Sequence, residues 1–316
     1  MDKTGFIKYL EKRGLKANTI ENYTRKVIIF FARTKQEDLQ VTKPDVLKFL
    51  EYLKNTRKIQ NHTRHHYLIA LNSYFTFLYE NEKIATNPCL FLKIRGTSKK
   101  RLHKIYTPEE LDQLFDNYYQ LFVRVYDDSQ HRHGKQKQYS ALCRHRNTVM
   151  LSILINQGTT VSEIDKLGLD DLDLVKATIK IRGKYRLNDR TLPLNATQIG
   201  LFINYTQNIR PQLLEYHTAE SNKLFLSLPS IAKKKTNADN LRNTFFYLAL
   251  QIKTIDKQFF SFHQIRTSVI SFWIKTHGLR KAQHLAGHRC ITSTEKYVIN
   301  NLDNLIDDIN KLHPFL

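Results

Sequence analysis

Apolar positions in the first hundred residues recur at intervals of three and four. Val46, Phe49, Leu50 and Leu53 form one such set, and Leu68, Leu71, Phe75 and Leu78 another. That period turns one face of a helix toward a core. Thr42 stands before Lys43-Pro44-Asp45, with proline in the first turn and an acid near the helix N-terminus, so the first set starts there. Thr107-Pro108-Glu109-Glu110 opens a later helix with a capping-box pattern, Thr107 against Glu110. Strand signals are few. Ala177 to Leu194 alternates on either side of Leu187-Asn188-Asp189, which predicts a β-hairpin. Near the C-terminus Leu302, Leu305, Ile306, Ile309 and Leu312 place one apolar face on a short helix, docked in its own subunit or on a neighbour. The polar stretch from Asp127 to Tyr139 reads as a surface loop.

These elements predict a mainly α chain with a small antiparallel β-sheet, an α+β protein of two domains. Residues 1–95 make a helical domain and residues 105–316 a second, larger one. Between them Ile94 to Lys104 combines Gly96, Thr97 and Ser98 with Arg95, Lys99, Lys100 and Arg101, and residues 96–104 read as a basic linker.

Charge changes the picture. The chain of 316 residues has 50 Lys+Arg against 29 Asp+Glu, a net +21. The excess is +13 in residues 1–104 and +8 in the remainder, so neither half owes it to a detachable tail. A polyanion touching both domains explains this distribution. The helix carrying Leu68 opens its polar side with Asn61, His62, Arg64, His65 and His66, and such a basic amphipathic helix suits a DNA groove. Arg64, His65, Lys99, Lys100 and Arg101 are the candidate DNA contacts. Cys89, Cys143 and Cys290 form no CxxC pair, which argues against a disulfide framework or a zinc site and for a reduced, cytoplasmic setting. No metal site is expected at the histidine cluster, which lacks cysteine or carboxylate partners. The start is charged from Asp2 and predicts no signal peptide, and no apolar run approaches the roughly 20 residues a membrane helix needs.

The candidate chemistry lies in the second domain. His263-Gln264-Ile265-Arg266 is an HxxR at a predicted helix start; Ala286-Gly287-His288 follows, and Tyr297 stands nine residues beyond His288. Lys184 sits upstream in the hairpin as Arg182-Gly183-Lys184. Phosphoryl transfer without a metal calls for these residue types. A phenolic oxygen can attack phosphorus, guanidinium and imidazole donors can hold the charge on the non-bridging oxygens, and a lysine can deliver a proton to the leaving oxygen. Any one of them alone says little; the ordered set is specific.

The set resembles the tyrosine recombinase (phage integrase) family, whose catalytic domain carries HxxR, then LGH or LGW, then a nucleophilic tyrosine. Gln157-Gly158-Thr159-Thr160-Val161-Ser162-Glu163-Ile164 resembles the family's TGLRxSEL box. Tyr9-Leu10 through Asn18-Thr19-Ile20-Glu21-Asn22-Tyr23, and Leu71 to Cys89, resemble its helical, SAM-like core-binding domain. The resemblance implies a core-binding domain and a catalytic domain closing as a C-shaped clamp on duplex DNA. It implies strand cleavage by Tyr297 through a 3′-phosphotyrosine, with Arg266, His263 and His288 on the phosphoryl oxygens and Lys184 as proton donor. Glu163 supports the site. Neither ATP, metal nor another cofactor is required. The implied partners are duplex DNA with inverted-repeat core sites, a homotetramer on synapsed DNA that exchanges C-terminal helices, and accessory DNA-bending proteins. A type IB topoisomerase shares this chemistry, but the compact helical first domain and the AGH-to-tyrosine spacing favour the recombinase.

One departure stands out. Thr160 occupies the place of the family's first arginine, and no arginine occurs between Arg146 and Arg182. Lys184 lies 24 residues after Thr160, the usual family separation, so the register is sound. Either another arginine substitutes, or the enzyme is slow, or the chain is an inactive DNA-binding accessory protein on the same scaffold. Residues i and i+2 of a strand share a face, so Arg182 is expected to face the way Lys184 does and to take the vacant place. Arg146, Arg186 and Arg190 are weaker substitutes, the last two because they lie at or beyond the hairpin turn.

Overall fold

The computed structural model describes residues 1–96, 104–124, 135–183, 187–217, 220–227 and 241–298, without the side chains of 135–138. Lys99, Lys100, Arg101, Lys184, Arg186 and the apolar stripe from Leu302 to Leu312 lie outside these residues. The chain divides into two units, Met1–Arg101 and Leu102–Leu316.

The first unit is built from α1 (Lys3–Lys12), α2 (Ala17–Thr34), α3 (Lys43–Asn55) and α4 (Asn61–Glu80). The start of α3 is fixed by its sequence, since Asp45 Oδ2 accepts from the Thr42 backbone N–H at 3.0 Å. Every apolar position picked out on α3 and α4 is buried, and Phe6, Phe30, Phe49, Tyr74 and Phe75 join them in one aromatic-rich core. Tyr74 cannot bury its hydroxyl unpaired. It donates to Asp38 at 2.7 Å and accepts from the Asp2 backbone N–H at 3.1 Å, which ties the chain start to α4.

The second unit packs around α6 (Lys135–Gln157), whose Met150, Leu151, Ile153 and Leu154 are fully buried. Before it runs α5 (Pro108–Tyr119), capped by Thr107 and Glu110 in a reciprocal pair. The helix α6 begins inside the stretch read as a loop: Lys135–Tyr139 is helical, because no glycine or proline follows Gly134 to stop the turn from extending upstream. After α6 come the single turn α7 (Val161–Ile164) and a three-stranded antiparallel sheet in the order β1 (Leu172–Asp173), β2 (Thr178–Ile181), β3 (Arg190–Pro193). The strands β2 and β3 are the two arms of the hairpin. Ile179 faces Leu192 and Ile181 faces Arg190 across the ladder, and all four are buried. Helices α8 (Ala196–Asn204) and α9 (Arg210–Leu214) pack on α6 and α10 (Arg242–Ile255) on α5, while α11 (Phe262–Ala286) packs on α6 and carries α12 (Ile291–Val298). Gly278, at φ 78°, breaks α11 near its end. No helix among the described residues is long and apolar enough to cross a membrane.

Candidate active site

Two glycines make the meeting of segments possible. Gly158 follows α6 at φ +53°, and a Cβ there would stand 3.0 Å from Val269 and 3.2 Å from Trp273 of α11. Its carbonyl accepts from Arg266 Nη1 at 2.5 Å, so the box after α6 is locked onto α11 across 108 residues of sequence. Gly287 ends α11 at φ +72°, in the left-handed region that favours glycine, and a Cβ on it would come within 2.8 Å of Arg190 Nη1. The hairpin docks on this second turn. Asn188 N–H donates to the Gly287 carbonyl at 2.7 Å, and Leu187 pairs with His288 in a lone antiparallel bridge.

Arg266 is buried at the centre. Its Nη2 donates to the Ala286 carbonyl at 2.9 Å and to His288 Nε2 at 3.3 Å. Burial, with the nearby Arg190 charge, holds the proton affinity of its guanidinium below the ordinary value, although Glu163 and the Tyr297 phenol act to raise it. Because a guanidinium has no acceptor, Nε2 of His288 is the acceptor and its proton is on Nδ1, which donates to Thr294 Oγ1 at 2.9 Å. Burial, then the nearby Arg266 and Arg190 charges, push His288 down to about 4, so it is a neutral imidazole around pH 7. Tyr297, on α12, stacks on this ring with centroids 5.6 Å apart and planes 18° from parallel. The exposed His263 ring lies 6.4 Å from that of Tyr297. Leu187, His263, Thr267, His288, Ser293, Lys296 and Tyr297 line a cavity of about 300 Å³, open to the outside.

Beneath lies Glu163. Thr160 caps α7, and Glu163 Oε2 accepts from both its backbone N–H at 2.7 Å and its hydroxyl at 2.9 Å. Glu163 Oε1 accepts from Arg190 Nη1 at 2.6 Å, and Oε2 stands 3.6 Å from Arg266 Nη1. Burial acts to raise the Glu163 carboxyl, but the Arg190 and Arg266 charges and the Thr160 hydrogen bond outweigh it and hold it below its ordinary value.

The structure thus brings together Tyr297, His263, Arg266, His288, Glu163 and Thr160. It does not bring Arg182 to them. Lys180 is exposed between the buried Ile179 and Ile181, and Arg182 shares its parity; its side chain is 55 % exposed, with Nε on Asp171 Oδ1 at 2.7 Å. The expectation that Arg182 faces the site is therefore corrected, since Arg182 is held at the surface on Asp171, whereas the strand position of Arg190 points inward. Arg146 is also engaged elsewhere, on the Leu226 carbonyl at 2.6 Å and on Asn147. In the first unit Arg64 turns back on its own domain, with Nε on the Leu50 carbonyl and Nη1 on Asn61, each at 3.0 Å. The bond to Leu50 ties α4 to α3, and both Arg64 and His65 beside it are half-buried.

Comparison with known proteins covers both units. A family model described as the phage integrase family matches residues 135–303, and one for the phage integrase N-terminal SAM-like domain matches residues 4–84. Tyrosine recombinase XerC of Oceanobacillus iheyensis is 26% identical over 320 residues, spanning 98% of this chain and 94% of its own. XerC of a Roseiflexus species is 27% identical over 300 residues, 92% of this chain and 87% of its own. Among solved structures, the XerH site-specific recombinase bound to a palindromic difH substrate aligns with a TM-score of 0.66 at 18% identity, over 96% of this chain and 83% of that one. A lambda integrase dimer bound to a core site aligns with a TM-score of 0.60 at 14% identity, over 94% and 93%. These structures share the fold of this chain.

Proposed function

The chain belongs to the phage integrase family, that of the tyrosine recombinases, and from that premise we propose that it cuts and rejoins duplex DNA at a specific site with Tyr297 as nucleophile. The observation that carries the reading is the stack of the Tyr297 ring on His288 at the mouth of a cavity, with Arg266 held against His288 beneath it.

The Tyr297 hydroxyl oxygen attacks the scissile phosphorus and gives its proton to solvent in the open cavity; the bond from phosphorus to the 5′ oxygen breaks, and a 3′-phosphotyrosine remains. The departing 5′ oxygen takes a proton, a role that falls to Lys184 of the hairpin. The 5′ hydroxyl of a partner strand then attacks the phosphotyrosine and releases Tyr297. The ester between protein and DNA conserves the bond energy, so the cycle calls for no ATP. Arg266 and His263 hold the phosphoryl oxygens, where charge concentrates in the transition state. His288 keeps Arg266 in place through Nε2, and its ring supports the attacking tyrosine. Glu163 fixes the guanidinium groups from behind.

Duplex DNA is the partner that a net charge of +21 favours. Inverted-repeat core sites, a homotetramer on synapsed DNA and accessory bending proteins belong to the same reading. Lys99, Lys100 and Arg101 are its linker contacts to the DNA backbone. A duplex nicked just beyond the cleaved bond tests it. The short 5′-hydroxyl fragment diffuses away, so the phosphotyrosine accumulates as a protein–DNA adduct that survives SDS. An inactive DNA-binding protein on the same scaffold would bind such duplexes and leave no adduct.

A further inference from the structure

Thr160 leaves the site one guanidinium short of the family pattern, and the arginines near the hairpin differ in what they can offer. Arg182 is spent on Asp171 at the surface, and Arg146 on the Leu226 carbonyl and Asn147. Arg190 is different. Its place on β3 opposite Ile181 turns it to the buried face, and its side chain is 0% exposed. Nη1 is held by Glu163, but Nε and Nη2 are buried with no hydrogen-bond partner among the described residues. Buried N–H groups of a charged side chain are seldom left unpaired, and each asks for an acceptor.

Charge gives the same answer. Arg190, Arg266 and Glu163 are all buried, with side chains at most 3% exposed, and together they hold one positive charge in excess. His288 adds none, because its Nε2 lone pair accepts from Arg266. The group that would balance this charge is an anion that accepts hydrogen bonds. The hairpin sets Arg190 against the Gly287 turn, next to the imidazole that supports Tyr297.

We propose that Arg190 is the second guanidinium on the scissile phosphate, donating from Nε and Nη2 to a non-bridging oxygen and doing from β3 what an arginine at position 160 would have done. The proposal rests on the recombinase reading and adds a residue to it. Thr160 takes a different part: by capping α7 it orients Glu163, and Glu163 orients Arg190. As the bond from Tyr297 to phosphorus forms and the bond to the 5′ oxygen breaks, Arg190 balances charge on the phosphoryl oxygens without exchanging a proton.

The test compares a phosphate with a neutral version of itself. Wild-type protein first captures its substrate, as SDS-stable adducts, from a pool of nicked duplexes randomised around the nick. The captured duplex is then made twice, with the native scissile phosphate and with a methylphosphonate in which a methyl group replaces one non-bridging oxygen. On the phosphate, Arg190→Ala slows adduct formation by about 100-fold or more, the effect of losing one donor to a transition-state charge, with affinity for the duplex kept. On the methylphosphonate, where the charge to be balanced is gone, the same variant loses less than about 10-fold, a mostly recovered version of that loss. Arg190→Lys keeps the charge and decides the matter if the alanine variant does not fold, with a loss on the phosphate that disappears on the methylphosphonate. Equal losses on both substrates, for whichever variant folds, would make Arg190 a mere counter-ion of Glu163 and overturn the proposal. So would wild-type rates for the variant on the phosphate, which leave the recombinase reading standing. A wild-type chain that captures no duplex at all overturns that reading and this inference with it.

Discussion

Glu163 and Arg190, 27 residues apart, form a buried ion pair at 2.6 Å whose carboxylate also takes both hydrogen bonds of the Thr160 cap. Two guanidinium groups, a carboxylate and a helix cap are thereby joined in one unit. Removing the carboxylate charge with Glu163→Gln leaves Arg190 and Arg266 buried together without a counter-ion. Breaking a buried pair in this way costs about 3–5 kcal/mol. Chemical denaturation should show a loss of that order. A change within about 0.5 kcal/mol, the range of ordinary surface substitutions, would mean the pair is not buried as described.

The imidazole of His288 gives a second prediction. Its pKa is pushed down to about 4 from an ordinary 6.5. Between these values the unfolded chain takes up a proton that the folded chain refuses, so this residue makes stability fall as pH drops from about 6.5 toward 4 and level off below. Glu163 works in the same direction, since its lowered carboxyl stabilises the fold above its ordinary value and loses that contribution on acidification. An NMR titration should find the His288 ring neutral, with the proton on Nδ1, down to pH 5. A midpoint near 6.5 would contradict the buried contact with Arg266.

Part of this was open to reading from the sequence, and part was not. The helix periods of α3 and α4, both proline-containing starts and the hairpin follow from local spacing and turn chemistry, which act over a few residues. The buried position of Arg190 was also present locally. Ile179, Ile181, Leu192 and Leu194 mark the inner face of the hairpin, and Arg190 is in phase with Leu192 while Arg182 is out of phase with Ile181. An arginine in phase with an apolar face is a buried charge in want of a partner. Thr160 to Glu163 likewise fits the capping-box pattern. The lock of Arg266 on the Gly158 carbonyl could not be read, because it joins segments 108 residues apart through the packing of α11 on α6.

Binding to duplex DNA should weaken steeply with salt, because lysines and arginines that meet phosphates release condensed counterions. Six to ten phosphate contacts would lower affinity roughly 1,000- to 100,000-fold between 50 and 200 mM salt. Titration of a fluorescent duplex at several salt concentrations measures the slope, and a flat response would show that the basic excess is not used on the DNA backbone. Strand cleavage itself should proceed unchanged in EDTA, since the guanidinium groups do the work of charge balance. Loss of cleavage in EDTA with recovery on adding Mg²⁺ would place a metal in the reaction.

The most direct measurement is the identity of the residue that holds the DNA. Adducts trapped on the nicked duplex can be digested with protease and nuclease and the nucleotide-bearing peptide sequenced by mass spectrometry. The chain has 16 tyrosines, so the outcome is not fixed in advance. The nucleotide should be found on Tyr297 alone, and Tyr297→Phe should bind the duplex with unchanged affinity and yield no adduct. A nucleotide on another tyrosine, or an adduct that persists in Tyr297→Phe, would contradict the assignment of Tyr297 as nucleophile.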